Sequence, residues 1–326
     1  MLQSDLDQVV EEIRAGERFL ITTHENPDGD ALGSLLAMHA ILGALGKDSV
    51  MFLAAKEFPL PVEYRFLPLE EVFHEPPADI ADRVVIFLDC GNIDRMPVDF
   101  LKHDGAKLIN VDHHHDNTRF GTVNLVDVEA SCTAEIIYEV AGRLGVPLTP
   151  EIANALYVGL VTDTGKFMYE NTDSRSHRMA ADLVDAGVDI NDTYRRLYEH
   201  VPIEKLKLVA RALEGIELFD GGSLAVTYIS AEDYRATGSS EVLTEGVIDH
   251  LRTLDGTAAV AVVRDQADGG RAARKVSLRS ADSRVDVSAI ARKHDGGGHR
   301  RAAGFGTDLG YKEIVEFLRA EVGAQV

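Results

Sequence analysis

The first half of the chain alternates short apolar runs with longer segments of helical spacing. Arg18-Phe19-Leu20-Ile21-Thr22-Thr23, Val50-Met51-Phe52-Leu53, Arg83-Val84-Val85-Ile86-Phe87-Leu88-Asp89 and Ala106-Lys107-Leu108-Ile109-Asn110-Val111 read as strands. Near-continuous apolar runs suit strands buried on both faces, as in parallel sheets covered by helices. Ala31 to Leu45 has helical spacing and stops at Gly46; Thr133 to Leu144, Pro150 to Val161 and Ser174 to Ala186 follow as helices. Strands alternating with helices of about 10–15 residues predict βαβ units.

Pro202 to Leu218 then reads as one long helix with no strand around it, which marks a linker. Beyond it Ser223 to Ile229, Thr257 to Val263 and Lys275 to Ser280 are strands, with Gly269-Gly270 as a hairpin-type turn between the last two. Val287 to Lys293 and Tyr311 to Val322 are helices. The expected class is α/β: an N-terminal parallel-sheet domain over 1–195, a helical linker over 196–220 and a smaller C-terminal α/β domain over 221–326. There is no internal repeat and no low-complexity segment.

Composition narrows the setting. The 326 residues are 45% hydrophobic and 27% charged, ordinary for a globular protein with room for two domains. Two cysteines, Cys90 and Cys132, make no disulfide framework, which suits a reducing compartment. The start lacks a basic, then apolar, signal segment, and no uncharged apolar run reaches the roughly 18 residues a bilayer span needs. A cytoplasmic protein with no membrane partner is the expectation. The net charge of −21 argues against gripping long nucleic acid. The charge is uneven, however: Arg264 to Arg301 holds ten basic and five acidic residues. An acidic body with one basic segment fits a small phosphorylated ligand held at one place, although two solvated faces would look the same.

The chemistry gathers where strands end. Asp112-His113-His114-His115 follows an apolar run, so it delivers an anionic group and imidazoles to one edge of a sheet, where ligands of open α/β sheets bind. His24, Asp28 and Asp30 lie in the loop after the first strand, shaped by Pro27 and Gly29. In isolation that stretch is a turn with an Asp N-cap at Asp30. Asp89 ends a buried strand, and a carboxylate there needs a partner because burying a free charge is costly. Asp163 sits where a helix gives way to a glycine loop. His39, His74, His103, His177, His200, His250 and His294 read as ordinary surface or core histidines, and His115 has no assigned role. Taken together, five carboxylates at one edge would repel and raise one another's pKa. Two divalent cations remove that repulsion, and oxygen-rich sites with a few imidazoles suit Mn²⁺ or Mg²⁺. Paired metals of this kind serve the hydrolysis of phosphate esters.

The order His24-Glu25-Asn26-Pro27-Asp28-Gly29-Asp30, strand-end Asp89, Asp112-His113-His114 and Thr162-Asp163-Thr164-Gly165 resembles the DHH phosphoesterase superfamily. Gly296-Gly297-Gly298-His299-Arg300-Arg301-Ala302-Ala303-Gly304 resembles the glycine-rich motif of the DHH-associated substrate domain. Length and lack of further domains look most like the NrnA-type subgroup, oligoribonucleases of nanoRNA that are also pAp phosphatases. The resemblance implies a two-Mn²⁺ hydrolase, with Mg²⁺ as the alternative, acting on short oligoribonucleotides such as pApA, on pAp and on linear or cyclic di-adenylate. One metal would take His24, Asp28 and Asp89; the other Asp30, Asp89, His113 and Asp163. Asp112 would orient a histidine, and His114 would contact the scissile phosphate or protonate the leaving oxygen. Gly296, Gly297, Gly298 and His299 would receive the far end of the nucleotide, and Arg279 would bind a terminal phosphate. A homodimer is implied by the relatives alone. The rivals are a cyclic-dinucleotide phosphodiesterase, an inorganic pyrophosphatase, a longer RecJ-like exonuclease and a nucleotide sensor without turnover. The Gly296–His299 motif, the chain length and the intact acidic residues weigh against the last three in turn.

Overall fold

The computed structural model describes residues 3–95, 107–199, 201–266 and 272–326. Ala106, His103, His200 and the Gly269-Gly270 turn lie outside them. The chain forms two compact units, Met1–Glu199 and His200–Val326.

In the first unit β1 (Arg18–Thr23), β2 (Asp48–Met51), β3 (Val84–Leu88), β4 (Leu108–Asp112) and β5 (Val123–Val126) form a parallel sheet in the order β2-β1-β3-β4-β5. Thr23 pairs with Leu88 and Leu88 with Val111, so β1, β3 and β4 end at the same level. In this strand order the connections reverse direction between β1 and β3, and the crevice at their carboxyl ends is where such sheets bind ligands. The helices are α1 (Gln3–Ala15), α2 (Gly29–Ala44), α3 (Thr133–Leu144), α4 (Pro150–Asp163), α5 (Ser174–Asp185) and α6 (Ile190–Tyr198). Thr149 caps α4 and Pro150 opens it; Gly145, at φ 77°, closes α3. Helix α2 is buried along most of its length and packs on α4 through glycines. A Cβ at Gly33 would overlap the Ala155 carbonyl oxygen, and one at Gly159 would meet Ala134 and Asp30.

The second unit runs α7 (Ile203–Glu214), β6 (Glu217–Phe219), β7 (Leu224–Ile229), α8 (Ala231–Thr237), α9 (Val247–Arg252), β8 (Ala259–Asp265), β9 (Arg274–Ser280), α10 (Val287–Arg292), β10 (Gly297–His299), β11 (Ala302–Thr307) and α11 (Tyr311–Gly323). Its sheet has the order β10-β11-β9-β8-β7-β6, antiparallel except for β7 with β8. One face packs Val226, Ala261, Val276 and Leu278 against Ile290 and Leu318. The other packs Ala225, Val260 and Val262 against Leu208, Ala212 and Leu251.

The segment read as one helix over 202–218 is shorter. It ends at Glu214, and Glu217–Phe219 pairs antiparallel with β7. Leu208 and Ala212 give α7 an apolar stripe that packs on the second unit's sheet, so α7 is part of that core. No helix among the described residues is long and apolar enough to cross a membrane.

Candidate metal centre

Three strand ends and two helix ends build one cluster in the first unit. His24 follows β1 and is buried; its Nδ1 meets the Glu25 carbonyl at 2.7 Å, and its Nε2 lies 3.5 Å from Asp89 Oδ2. Asp28 caps α2, accepting from the N–H groups of Asp30 and Ala31 at 3.1 Å each. The turn reading had placed that cap at Asp30. Asp30 instead sits in the first turn, 1% exposed, where its carboxylate accepts the N–H groups of Thr133 at 2.6 Å and Ala134 at 2.9 Å. These are orphan donors at the start of α3, where negative charge is favoured.

Asp89 lies at the centre. It follows β3 with φ 56°, a left-handed conformation that aspartate tolerates better than most residues. It is 2% exposed and accepts from Thr133 Oγ1 at 3.0 Å. His113 Nε2 and His114 Nδ1 each lie 3.6 Å from its Oδ1. His113 Nε2 is also 3.6 Å from Oδ2 of Asp163, the last residue of α4. Asn171 donates to the Asp163 carbonyl at 3.1 Å and to Oδ2 at 3.3 Å.

Asp112 is fully buried and accepts from His114 Nδ1 at 2.7 Å and from Asn117 Nδ2 at 2.6 Å. This fixes the orientation of the His114 ring. Thr133, Asn117 and Asn171 were not singled out in the sequence. Only Thr133 carried a signal there, as the first residue of an expected helix. Arg95, also unmarked, brings Nη2 within 2.9 Å of His24 Nδ1. His115 is exposed. Among the other histidines, His39 bonds Ser49, His74 the Leu53 carbonyl, and His177 and His294 stack on Phe167 and Phe305.

In the second unit Arg279 lies in β9, half-buried, and bonds the Leu278 carbonyl at 3.1 Å. The resemblance gave Gly296 to His299 the far end of the nucleotide. Gly297–His299 is an edge strand paired with β11, with Gly296 just before it. Gly298 has φ 129°, and a Cβ there would strike the backbone of Ala302 and Ala303. The glycines let two backbones approach. His299, Ala302 and Arg279 stand in one row across the sheet.

A model of the DHH family's N-terminal domain matches residues 18–160, and one of the DHHA1 domain matches residues 221–324. The chain belongs to the DHH family. It is 32% identical over 311 residues to the bifunctional oligoribonuclease and PAP phosphatase NrnA of Thermus thermophilus, covering 93% of this chain and 89% of that protein. It is 26% identical over 300 residues to the protein of the same name in Bacillus subtilis, covering 91% of each. The crystal structure of an exopolyphosphatase-related protein from Bacteroides fragilis shares the fold, with a TM-score of 0.86 at 21% identity over 99% of this chain and 96% of that one.

The electrostatics of the DHH domain ask for cations. Burial first, then Asp89 and Asp163, pushes the Asp30 carboxyl well above its ordinary range. Burial, then Asp28 and Asp89, does the same to Asp163. Burial opposes ionisation of Asp89 too, but the hydrogen bond from His24 and the charges of His114 and His113 hold it well below the usual range. Asp112 is lowered by His114 against the same penalty. His114 is pushed up to about 10: burial works against its charge, and Asp112 and Asp89 overcome it. Two ligand sets have their donor atoms within 4.8 Å of one another, His24 with Asp28 and Asp89, and Asp30 with His113 and Asp163. Asp89, Asp112 and His114 form a third such group. Carboxylate oxygens with imidazole nitrogens match hard divalent ions, and a cation would relieve the repulsion that raises Asp30 and Asp163.

Proposed function

We propose that this chain is a metal-dependent phosphoesterase that hydrolyses short oligoribonucleotides to mononucleotides and pAp to AMP. The observation that carries the reading is the convergence of Asp28, Asp30, Asp89 and Asp163 with His24 and His113 beside the Asp112–His114 pair. The names of the DHH-family relatives supply the substrate class.

His24, Asp28 and Asp89 would hold one divalent ion, and Asp30, Asp89, His113 and Asp163 a second; Mn²⁺ is the proposed metal, with Mg²⁺ as the alternative. When bound, the metals supply Lewis acidity toward the phosphate and a water activated for attack. The protein's own groups do the rest. Thr133 Oγ1 fixes Asp89, and the start of α3 fixes Asp30, so the carboxylates need not reorganise. Asp112 holds His114 as an imidazolium whose Nε2 donates to the scissile phosphate or gives its proton to the leaving nucleoside oxygen. Arg279, Gly296, Gly297, Gly298 and His299 would bind the other end of the nucleotide. The acidic body disfavours long polymers and leaves short ones.

The test is hydrolysis of pApA and pAp by the full chain with Mn²⁺, following AMP release, beside an EDTA control and Asp163→Ala. Metal-dependent release lost in the variant is the expected result. A folded, metal-loaded protein that releases no AMP from either substrate would overturn the reading.

A further inference from the structure

Arg264, near the end of β8, makes a demand that the proposed function leaves unmet. It is 9% exposed, yet its Nε has no hydrogen-bond partner. The carboxylate paired with it, Glu241, stays 3.5 Å away from that nitrogen. A buried guanidinium with an unfilled donor is costly, because desolvation is not offset. Its neighbours show what would fill it. Arg264 pairs with Lys275, Val262 with Ser277 and Val260 with Arg279, so these side chains share one face of the sheet. Arg264, Arg279, Ser277 and Thr244 line a single pocket, with the exposed Glu245 as its only acidic lining residue among the described residues. Next to it on β11, Ala302, Gly304 and Gly306 stand opposite Arg279, Ser277 and Lys275. That strip carries one methyl group and no larger side chain.

We propose that Arg264 and Ser277 complete, with Arg279, a subsite for a phosphate group, and that Arg264 makes the protein distinguish a phosphorylated from an unphosphorylated nucleotide end. Two guanidinium forks and a hydroxyl suit a tetrahedral oxyanion, which accepts from several donors at once. The inference rests on the proposed nucleotide substrate and deepens it.

The experiment is steady-state kinetics of the Mn²⁺-loaded full chain on pApA and on ApA, for wild type, Arg264→Met, Arg264→Lys and Glu241→Gln. Charged hydrogen bonds of this kind set the expected scale: Arg264→Met raises KM for pApA about tenfold to a hundredfold, with kcat and ApA turnover unchanged. Arg264→Lys keeps the charge without the fork and falls between. Glu241→Gln removes the competing carboxylate and leaves KM for pApA the same or lower. If Arg264 only ties Glu241 to the sheet, Arg264→Met and Glu241→Gln lose both substrates alike and melt earlier, and the subsite is overturned. Should wild type cleave neither substrate, the proposed function fails separately. The rise in melting temperature given by 5′-AMP over adenosine then decides the subsite: lost in Arg264→Met it stands, equal in both proteins it falls.

Discussion

Asp112 and His114 act as a pair, and the pair can be taken apart. Asp112 lies 2.7 Å from Nδ1 of His114 and raises its pKa to about 10 against the cost of burial. If His114 protonates the leaving oxygen, it must be charged to work, and its contribution is lost as pH rises through its pKa. Asp112→Asn removes the stabilising charge, so the alkaline limb of kcat should move to lower pH in a pH–rate profile. His114→Ala should lower kcat on pApA by about 10²–10⁴, the usual range for a general acid. It should cost far less on a p-nitrophenyl phosphodiester, whose leaving group needs no proton. Equal losses on both substrates would assign His114 to phosphate binding instead. At this scale the sequence was informative about where chemistry collects, because apolar runs stop at His24, Asp89 and Asp112. It was silent on which oxygen meets which donor. The N–H groups of Thr133 and Ala134 that hold Asp30 belong to backbone more than a hundred residues away, and no local pattern encodes such a pairing.

Helices α2 and α4 carry Asp30 and Asp163, and their separation sets the cluster's width. Gly33 lets them touch: a Cβ there overlaps the Ala155 carbonyl, whereas one at Gly43 in the same helix meets nothing within 4 Å. Gly33→Ala should therefore destabilise the protein by about 1–3 kcal/mol, the range for overpacking, and weaken Mn²⁺ binding. Gly43→Ala should stabilise it by about 0.5–1 kcal/mol and leave the metal alone. Thermal melts and titration calorimetry read both effects. The central strands were legible because they are continuous apolar runs, as buried parallel strands must be. Strand β5 was missed because it is four residues long with Asn124 inside it. Helix α1 did carry a readable stripe, Leu6, Val9, Val10 and Ile13, that the strand-led reading passed over. Strands β10 and β11 are built mostly from glycine and alanine, which leaves little hydrophobic alternation to find.

For the whole molecule, the cluster couples metal content to stability. Asp30 and Asp163 have folded pKa values raised well above those of free carboxylates. The unfolded chain loses these protons first, so the metal-free protein should lose stability as pH rises from about 4 through the raised values. Asp89 is depressed and acts in the opposite sense: its contribution is present above the unfolded pKa and lost as pH falls through the folded one. Mn²⁺ should raise the melting temperature more at pH 8 than at pH 5, since at the lower pH it must displace protons. A saturating ion at a hundred times its dissociation constant would add about 2.7 kcal/mol. Asp163→Asn should flatten the metal-free pH dependence above pH 4; an unchanged slope would show that the repulsion lies elsewhere.

The parallel sheet also has a consequence for biosynthesis. Because connections between parallel strands cross over, groups that meet at the strand ends lie far apart along the chain, from His24 to Asp163. A growing polypeptide cannot assemble the cluster until α4 has left the ribosome, and until then its earlier carboxylates have no complete cage to offer. If the cluster holds the proposed ions, their capture would be deferred until most of the first unit has been translated, linking the arrival of the metal to completion of the fold around it.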